Sequence, residues 1–180
     1  EIEAALAAKI KCFNVESEAE LHHIAEIAER LGTTAPISLR VNPDVDPKTH
    51  PYISTGLKES KFGVPMNQAL RLYAAAQSLT GIMIKGIDIH IGSQITQLAP
   101  YLDALDKMFT LIDQLNDQGI VLEHFDIGGG MGIRYEQEPD FPIKALSDAL
   151  QQKMADRKLE IILEPGRYIV ANAGILLTQV

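Results

Sequence analysis

Three short strings hold the residues best suited to chemistry. Glu164-Pro-Gly-Arg167 puts a carboxylate at the end of the apolar run Ile161-Ile-Leu163, with a guanidinium three positions on. A carboxylate closing an apolar strand needs a partner, because an unpaired buried charge is costly. One solution is internal: Glu164 pairs with Arg167 or caps a backbone. The other is functional: Glu164 faces a cationic ring nitrogen, and Arg167 grips a phosphate or carboxylate with its planar fork. His90-Ile-Gly-Ser-Gln94 also ends an apolar run. His90 is either a satisfied core imidazole or a flat plate for an aromatic cofactor. Ser93, on a glycine-hinged turn, can offer a hydroxyl to the same anion, but no base stands ready to make it a nucleophile. Gly128-Gly129-Gly130, with Gly132 beyond, is the third string. Consecutive glycines let backbone N–H groups converge on an anion, and they equally suit a tight turn with positive φ. The spacing is not that of the dinucleotide fingerprint.

Other candidates are weaker. His22 and His23 sit on the polar face of a helical pattern and read as solvated. His124 begins a strand, which points to the far end of the fold. His50 lies in a long loop, within reach of a substrate. Cys12 is the sole cysteine, flanked by apolar residues, and reads as a small core residue. No paired Cys, HExxH or His–carboxylate spacing argues for a metal.

The elements that must position these strings alternate along the chain. Residues 1–9 read as the end of a helix and 11–15 as a strand. Ser17 with Glu20 makes a capping box for a helix carrying Leu21, Ile24, Ala25, Ala28 and Leu31, stopped at Gly32. Strands are expected over 36–42, 82–91, 123–127 and 159–164. Helices are expected over 65–79, from Pro100 to before Gly119, and over 141–157, with an irregular segment at 43–63. Alternating strands and helices mean βαβ units around a parallel sheet. Glu16, Asn42, His90, Gly128 and Glu164 each follow a different strand. An open doubly wound sheet gathers its site at one switch point. A (β/α)8 barrel brings every strand end to one face, so the distribution favours a barrel, with the five residues around one cavity. A whole barrel takes about 250 residues, so 180 residues make part of one.

Composition narrows the function classes. The chain has 16 Lys+Arg against 24 Asp+Glu, a net charge of -8, and a mean hydropathy of +0.02. An acidic chain without a basic cluster does not suit nucleic acid. The apolar stretch from Tyr168 to Leu177 is too short to span a bilayer. A single cysteine suits a cytoplasmic location. The chain opens without Met inside a helical pattern and stops inside the apolar run 174–180, so it reads as an excerpt of a longer protein.

A phosphate nest, a stacking His and a Glu for a pyridinium nitrogen together describe a site for pyridoxal 5'-phosphate, PLP. At these residues the chain resembles the fold-type III PLP-dependent decarboxylases, whose barrel is like that of alanine racemase. The matching text is Phe13-Asn-Val-Glu-Ser17, Arg40-Val-Asn-Pro43, Thr49-His-Pro-Tyr-Ile-Ser-Thr-Gly56, Ser60-Lys-Phe-Gly63, His90-Ile-Gly-Ser-Gln94, Asp126-Ile-Gly-Gly-Gly130 and Glu164-Pro-Gly-Arg167. The 49–56 string points to the branch acting on meso-2,6-diaminopimelate, releasing CO2 and L-lysine. Arginine- or ornithine-type decarboxylases and a non-catalytic PLP-binding barrel are the alternatives.

The resemblance implies that His90 stacks on the cofactor ring and Glu164 pairs with its nitrogen. It implies that Ser93, Gly128, Gly129, Gly130, Gly166 and Arg167 hold the phosphate, and that Arg167 also meets a substrate carboxylate. The Schiff-base lysine is expected upstream of Glu1, and a C-terminal β domain after Val180, with 174–180 beginning the passage to it. Neither Lys85, at the start of its strand, nor Lys61, in another motif, suits the lysine role. The family also implies a homodimer with shared sites.

Overall fold

A computed structural model describes residues 1–46, 62–154 and 157–179. The order of elements is α1 (Ile2–Ala7), β1 (Phe13–Val15), α2 (Glu18–Arg30), β2 (Ala35–Asn42), β3 (Val64–Pro65), α3 (Met66–Ser78), β4 (Ile82–Asp88), α4 (Ala99–Asp117), β5 (His124–Asp126), α5 (Ile143–Met154), β6 (Glu160–Ile162) and α6 (Arg167–Val170), then a 3-10 turn at Ala171–Ala173. The boundary signals read from the sequence operate locally. Ser17 Oγ accepts the Glu20 N–H at 3.2 Å, and Glu20 Oε2 accepts the Glu16 N–H at 2.7 Å. Leu21, Ile24, Ala25 and Ala28 face the core from α2, and Gly32 takes φ +64 just past its end.

All strand pairs are parallel, and the main path runs β1-β2-β4-β5-β6 in chain order. A sheet that always adds its next strand on the same side is singly wound. With right-handed crossovers its helices all lie on one face, as in a (β/α)8 barrel. The sheet is also curled. Lys11, just before β1, pairs with Glu160 on β6 at 2.5 Å. Flat, those edge strands would stand ~19 Å apart, four spacings of about 4.8 Å.

The curl has a sequence cause. In Phe13-Asn-Val-Glu, Ile37-Ser-Leu-Arg-Val-Asn and Ile87-Asp-Ile-His, apolar residues alternate with polar ones. Val15, Ile37, Leu39, Val41, Ile87, Ile89, Phe125 and Ile127 are buried in the hydrophobic core with α2, α3 and α4. The alternate positions are Asn14, Ser38, Arg40, Asp88, His124 and Asp126. Strand alternation puts them on the opposite, concave face.

Several boundaries differ from expectation. β4 stops at Asp88 rather than 91, and β6 at Ile162 rather than 164. Single backbone bonds continue past both ends, Ile89 N–H to Asp126 O at 3.0 Å and Glu164 N–H to Gly128 O at 2.9 Å, but Gly128, at φ +69, bends the segment after β5 out of the regular ladder. The two-residue β3 was not anticipated; it pairs with the end of β2 through Val41↔Val64. Past β6, Leu163, Ile169, Val170, Ile175, Leu176 and Leu177 are exposed. Among the described residues no helix is long and apolar enough to cross a membrane.

Candidate functional site

A cavity of about 400 Å³ opens at the C-terminal ends of the strands, lined by Asn14, Glu16, Arg40, Asp88, His90 and Glu164. Of the five residues expected around one cavity, Glu16, His90 and Glu164 line it. Gly128 lies against His90: a Cβ added to it would stand 3.2 Å from both the α-carbon and Nδ1 of His90. Asn42 does not line it: it is nearly buried, and its Oδ1 accepts the Asp44 N–H at 2.9 Å. His50, Lys61 and the 49–56 string lie outside the described residues.

Each side chain is held by its strand end. His90 Nδ1 accepts the Gly129 N–H at 3.4 Å. Burial first, then the charge of Arg40, pushes the His90 pKa below the usual imidazole range, while Glu164 opposes that shift. Gly128, Gly129 and Gly130 are required sterically. A Cβ on Gly129 would stand 1.9 Å from Glu164 O, one on Gly128 2.2 Å from Ile89 O, and one on Gly130 2.0 Å from Gly92 O. The triplet thus lets three loop backbones meet, and Gly128 and Gly130 both have positive φ. The loops after β4 and β5 are further zipped together. Ile95 N–H donates to Gly130 O and Gly132 N–H to Ile95 O, both at 2.8 Å. Gln94, in left-handed backbone at φ 56, donates from Nε2 to Ile133 O at 2.6 Å and accepts the Ile133 N–H at 3.2 Å.

Glu164 differs from expectation. In this part of the barrel it is exposed, as is Leu163 beside it, since no strand follows β6 among the described residues. Arg167 is not its partner. Arg167 donates to Tyr135 Oη at 2.9 Å and to Ser93 Oγ. Of the two readings open at the sequence level, the internal Glu164–Arg167 pair is absent among the described residues. A carboxylate and an imidazole share the cavity, while a guanidinium and a hydroxyl meet beside the glycine loop. That donor set suits a dianion, and the carboxylate suits a cationic nitrogen. Gly166, at φ 48, sets the turn before Arg167.

Three charged residues escaped the sequence reading. Arg40 pairs with Glu16 at 2.8 Å and approaches Asp88 at 3.9 Å. Asp88 is 3% exposed, and its Oδ1 has no hydrogen-bond partner among the described residues. Burial first, then Asp126, pushes its pKa up to about 8, against the lowering effect of Arg40. Asp126 is raised by burial too, while the Gly128 N–H at 2.9 Å lowers it. The signal was the period-two polar residue inside otherwise apolar strands.

At the opposite end of the strands, His124 Nε2 lies 2.7 Å from Ser38 Oγ and 3.5 Å from Cys12 Sγ. Cys12 is half-buried among polar atoms rather than in the apolar core, and burial raises its pKa. Lys85 pairs with Glu123 at this end, and His22 and His23 are exposed.

A singly wound barrel arc with a carboxylate–imidazole mouth and a guanidinium–hydroxyl rim is an architecture suited to α/β enzymes that work on a phosphorylated ring. The chain belongs to the pyridoxal-dependent decarboxylases: it matches the family's pyridoxal-binding domain over residues 1–171. It is 55% identical to diaminopimelate decarboxylase of Haemophilus influenzae over all of this chain and 44% of that protein. To the Vibrio cholerae enzyme of that name it is 53% identical, over 43% of its length. The crystal structure of diaminopimelate decarboxylase from Helicobacter pylori complexed with L-lysine superposes with a TM-score of 0.92 at 44% identity, covering 95% of this chain and 43% of that one. Lysine decarboxylase from Selenomonas ruminantium gives 0.75 at 28% identity, over 93% and 42%. The chain therefore spans less than half the length of these relatives.

Proposed function

We propose that this chain forms the greater part of the cofactor barrel of an enzyme that decarboxylates meso-2,6-diaminopimelate to L-lysine and CO2. The Schiff-base lysine and a C-terminal β domain would come from the rest of the protein, working as a cytoplasmic homodimer. The observation that carries the reading is the placement of Glu164 and His90 on one cavity, beside the Ser93–Arg167 pair at the glycine loop. Relatives at 53–55% identity carry the diaminopimelate name, which favours that substrate over arginine or ornithine.

Bound PLP would supply the electron sink that lets a carbon–carboxylate bond break. Glu164 would hold a proton on the ring nitrogen, because an opposite charge favours the protonated form. A cationic residue there would instead drive that proton off, as suits a racemase. The His90 imidazole, with Gly128 against it, would serve as a plate for the ring. Ser93 Oγ, the Arg167 guanidinium and the backbone N–H groups of Gly130 and Gly166 would hold the phosphate, while Gly128 and Gly129, whose N–H groups are engaged by Asp126 and His90, shape the cradle. Arg167 also orients a substrate carboxylate.

The test is CO2 release by the full-length enzyme from meso-2,6-diaminopimelate, arginine, ornithine and lysine in parallel. Diaminopimelate should lead by at least ~100-fold in kcat/KM, about 2.7 kcal/mol of discrimination. Equal turnover of ornithine, or PLP binding without CO2 release from any substrate, would support one of the alternatives.

A further inference from the structure

The glycine loop is held from behind by a residue outside the cavity. Tyr101, in the first turn of α4, is 1% exposed and donates from Oη to Gly129 O at 2.7 Å. Its ring is fixed edge-on by Phe141, centroids 5.3 Å apart, which itself packs edge-on to Tyr168 at 6.3 Å. Burial raises the Tyr101 pKa, so the hydroxyl remains a donor at every physiological pH. A trans peptide carries its C=O and the following N–H on opposite sides. Drawing the Gly129 carbonyl toward α4 therefore turns the N–H of Gly130 away from α4. That N–H has no acceptor among the described residues, and Gly130 abuts Gly92, which precedes Ser93.

We propose that Tyr101 is a positioning residue for the phosphate cradle: by pinning one carbonyl it aims the Gly130 N–H at the anion. This rests on the phosphate role given to the loop above. The loop needs such a device, because Gly128 and Gly130 have no side chains to restrict their peptide planes. The molecule also contains a matched control. Tyr73, equally buried, donates from Oη to Gly86 O at 2.7 Å, within β4 and away from the loop.

The experiment measures dissociation constants of PLP and of pyridoxal, which lacks the phosphate, for the full-length enzyme and its variants. Tyr101→Phe should lower the preference for PLP over pyridoxal about five- to tenfold, the worth of one buried hydrogen bond, with pyridoxal binding unchanged. Phe141→Leu keeps the hydroxyl but loosens its ring, and should move the preference the same way by less. It also serves if Tyr101→Phe does not fold. Tyr73→Phe should lose stability and leave the preference intact. Equal losses for both ligands in Tyr101→Phe, or the same fall in preference in Tyr73→Phe, would overturn the proposal. A parent enzyme that binds pyridoxal as tightly as PLP would instead remove the phosphate reading on which it stands.

Discussion

Two histidines on neighbouring strands make a natural comparison. His90 follows β4 and His124 opens β5, and each packs against a glycine of the adjacent strand. A Cβ on Gly86 would stand 2.2 Å from the His124 ring, and one on Gly128 3.2 Å from His90 Nδ1. Burial lowers the pKa of both. They differ in what lies on their other side. His124 is closed in at 1% exposure, with Ser38 and Cys12 as polar neighbours. His90 opens on the cavity shared with Glu164, Arg40 and Asp88. Residue type, burial and a glycine neighbour therefore do not distinguish a site from a plug. Chain direction does: in a parallel barrel the C-terminal strand ends carry chemistry and the N-terminal ends carry stability.

The largest expected effect that tests this division is at the mouth. In the full-length enzyme Glu164→Gln keeps size and hydrogen bonding but removes the charge. Steady-state assays should show kcat down by roughly two to four powers of ten, about 3–5 kcal/mol, with PLP still bound by absorbance. A near-parental rate would strip Glu164 of its role. Next come the histidines. His90→Ala should reduce kcat/KM by roughly 10- to 100-fold. His124→Ala should cost ~2 kcal/mol of stability by denaturant titration, through a cavity and an orphaned Ser38 hydroxyl, with kcat held within about twofold. Exchanged phenotypes would invert the two ends.

The glycines give a smaller contrast. Gly86→Ala asks a side chain to move and should cost ~1–3 kcal/mol. Gly128→Ala meets the Ile89 carbonyl from a left-handed backbone, and should cost more stability and also weaken PLP. Smallest is Asp88→Asn. With its pKa near 8 in the fold against 3.8 in the open chain, Asp88 keeps a proton that the unfolded chain has lost between about pH 4 and pH 8. Its contribution is full below about pH 4 and is lost as pH rises toward 8. The Tm advantage of Asp88→Asn over the parent should therefore grow steadily from pH 5 to pH 8. A constant difference would place a cation beside Asp88 in the complete barrel.

Much of this was legible in the chain itself. The Ser17–Glu20 box, the Gly32 stop and the run of strand-end strings led to the element order and the barrel. Strand lengths were less legible, because β4 and β6 end where β5 turns, and a ladder's end depends on a neighbour distant in sequence. Arg40, Asp88 and Asp126 were given no role because each lies within a strand rather than in a loop string beyond its end. Only the curl of the sheet shows that such residues share one interior.

Gln94 adds one consequence concerning time. Its side-chain amide pairs with both polar atoms of Ile133, acting as a spare peptide that extends the ladder between two loops past where their strands have parted. Segments so joined open together or not at all. Amide protons at Ile95, Gly132 and Ile133 should therefore exchange with solvent at one common rate, and the wall bearing Ser93 and the wall bearing Gly130 should breathe as one body.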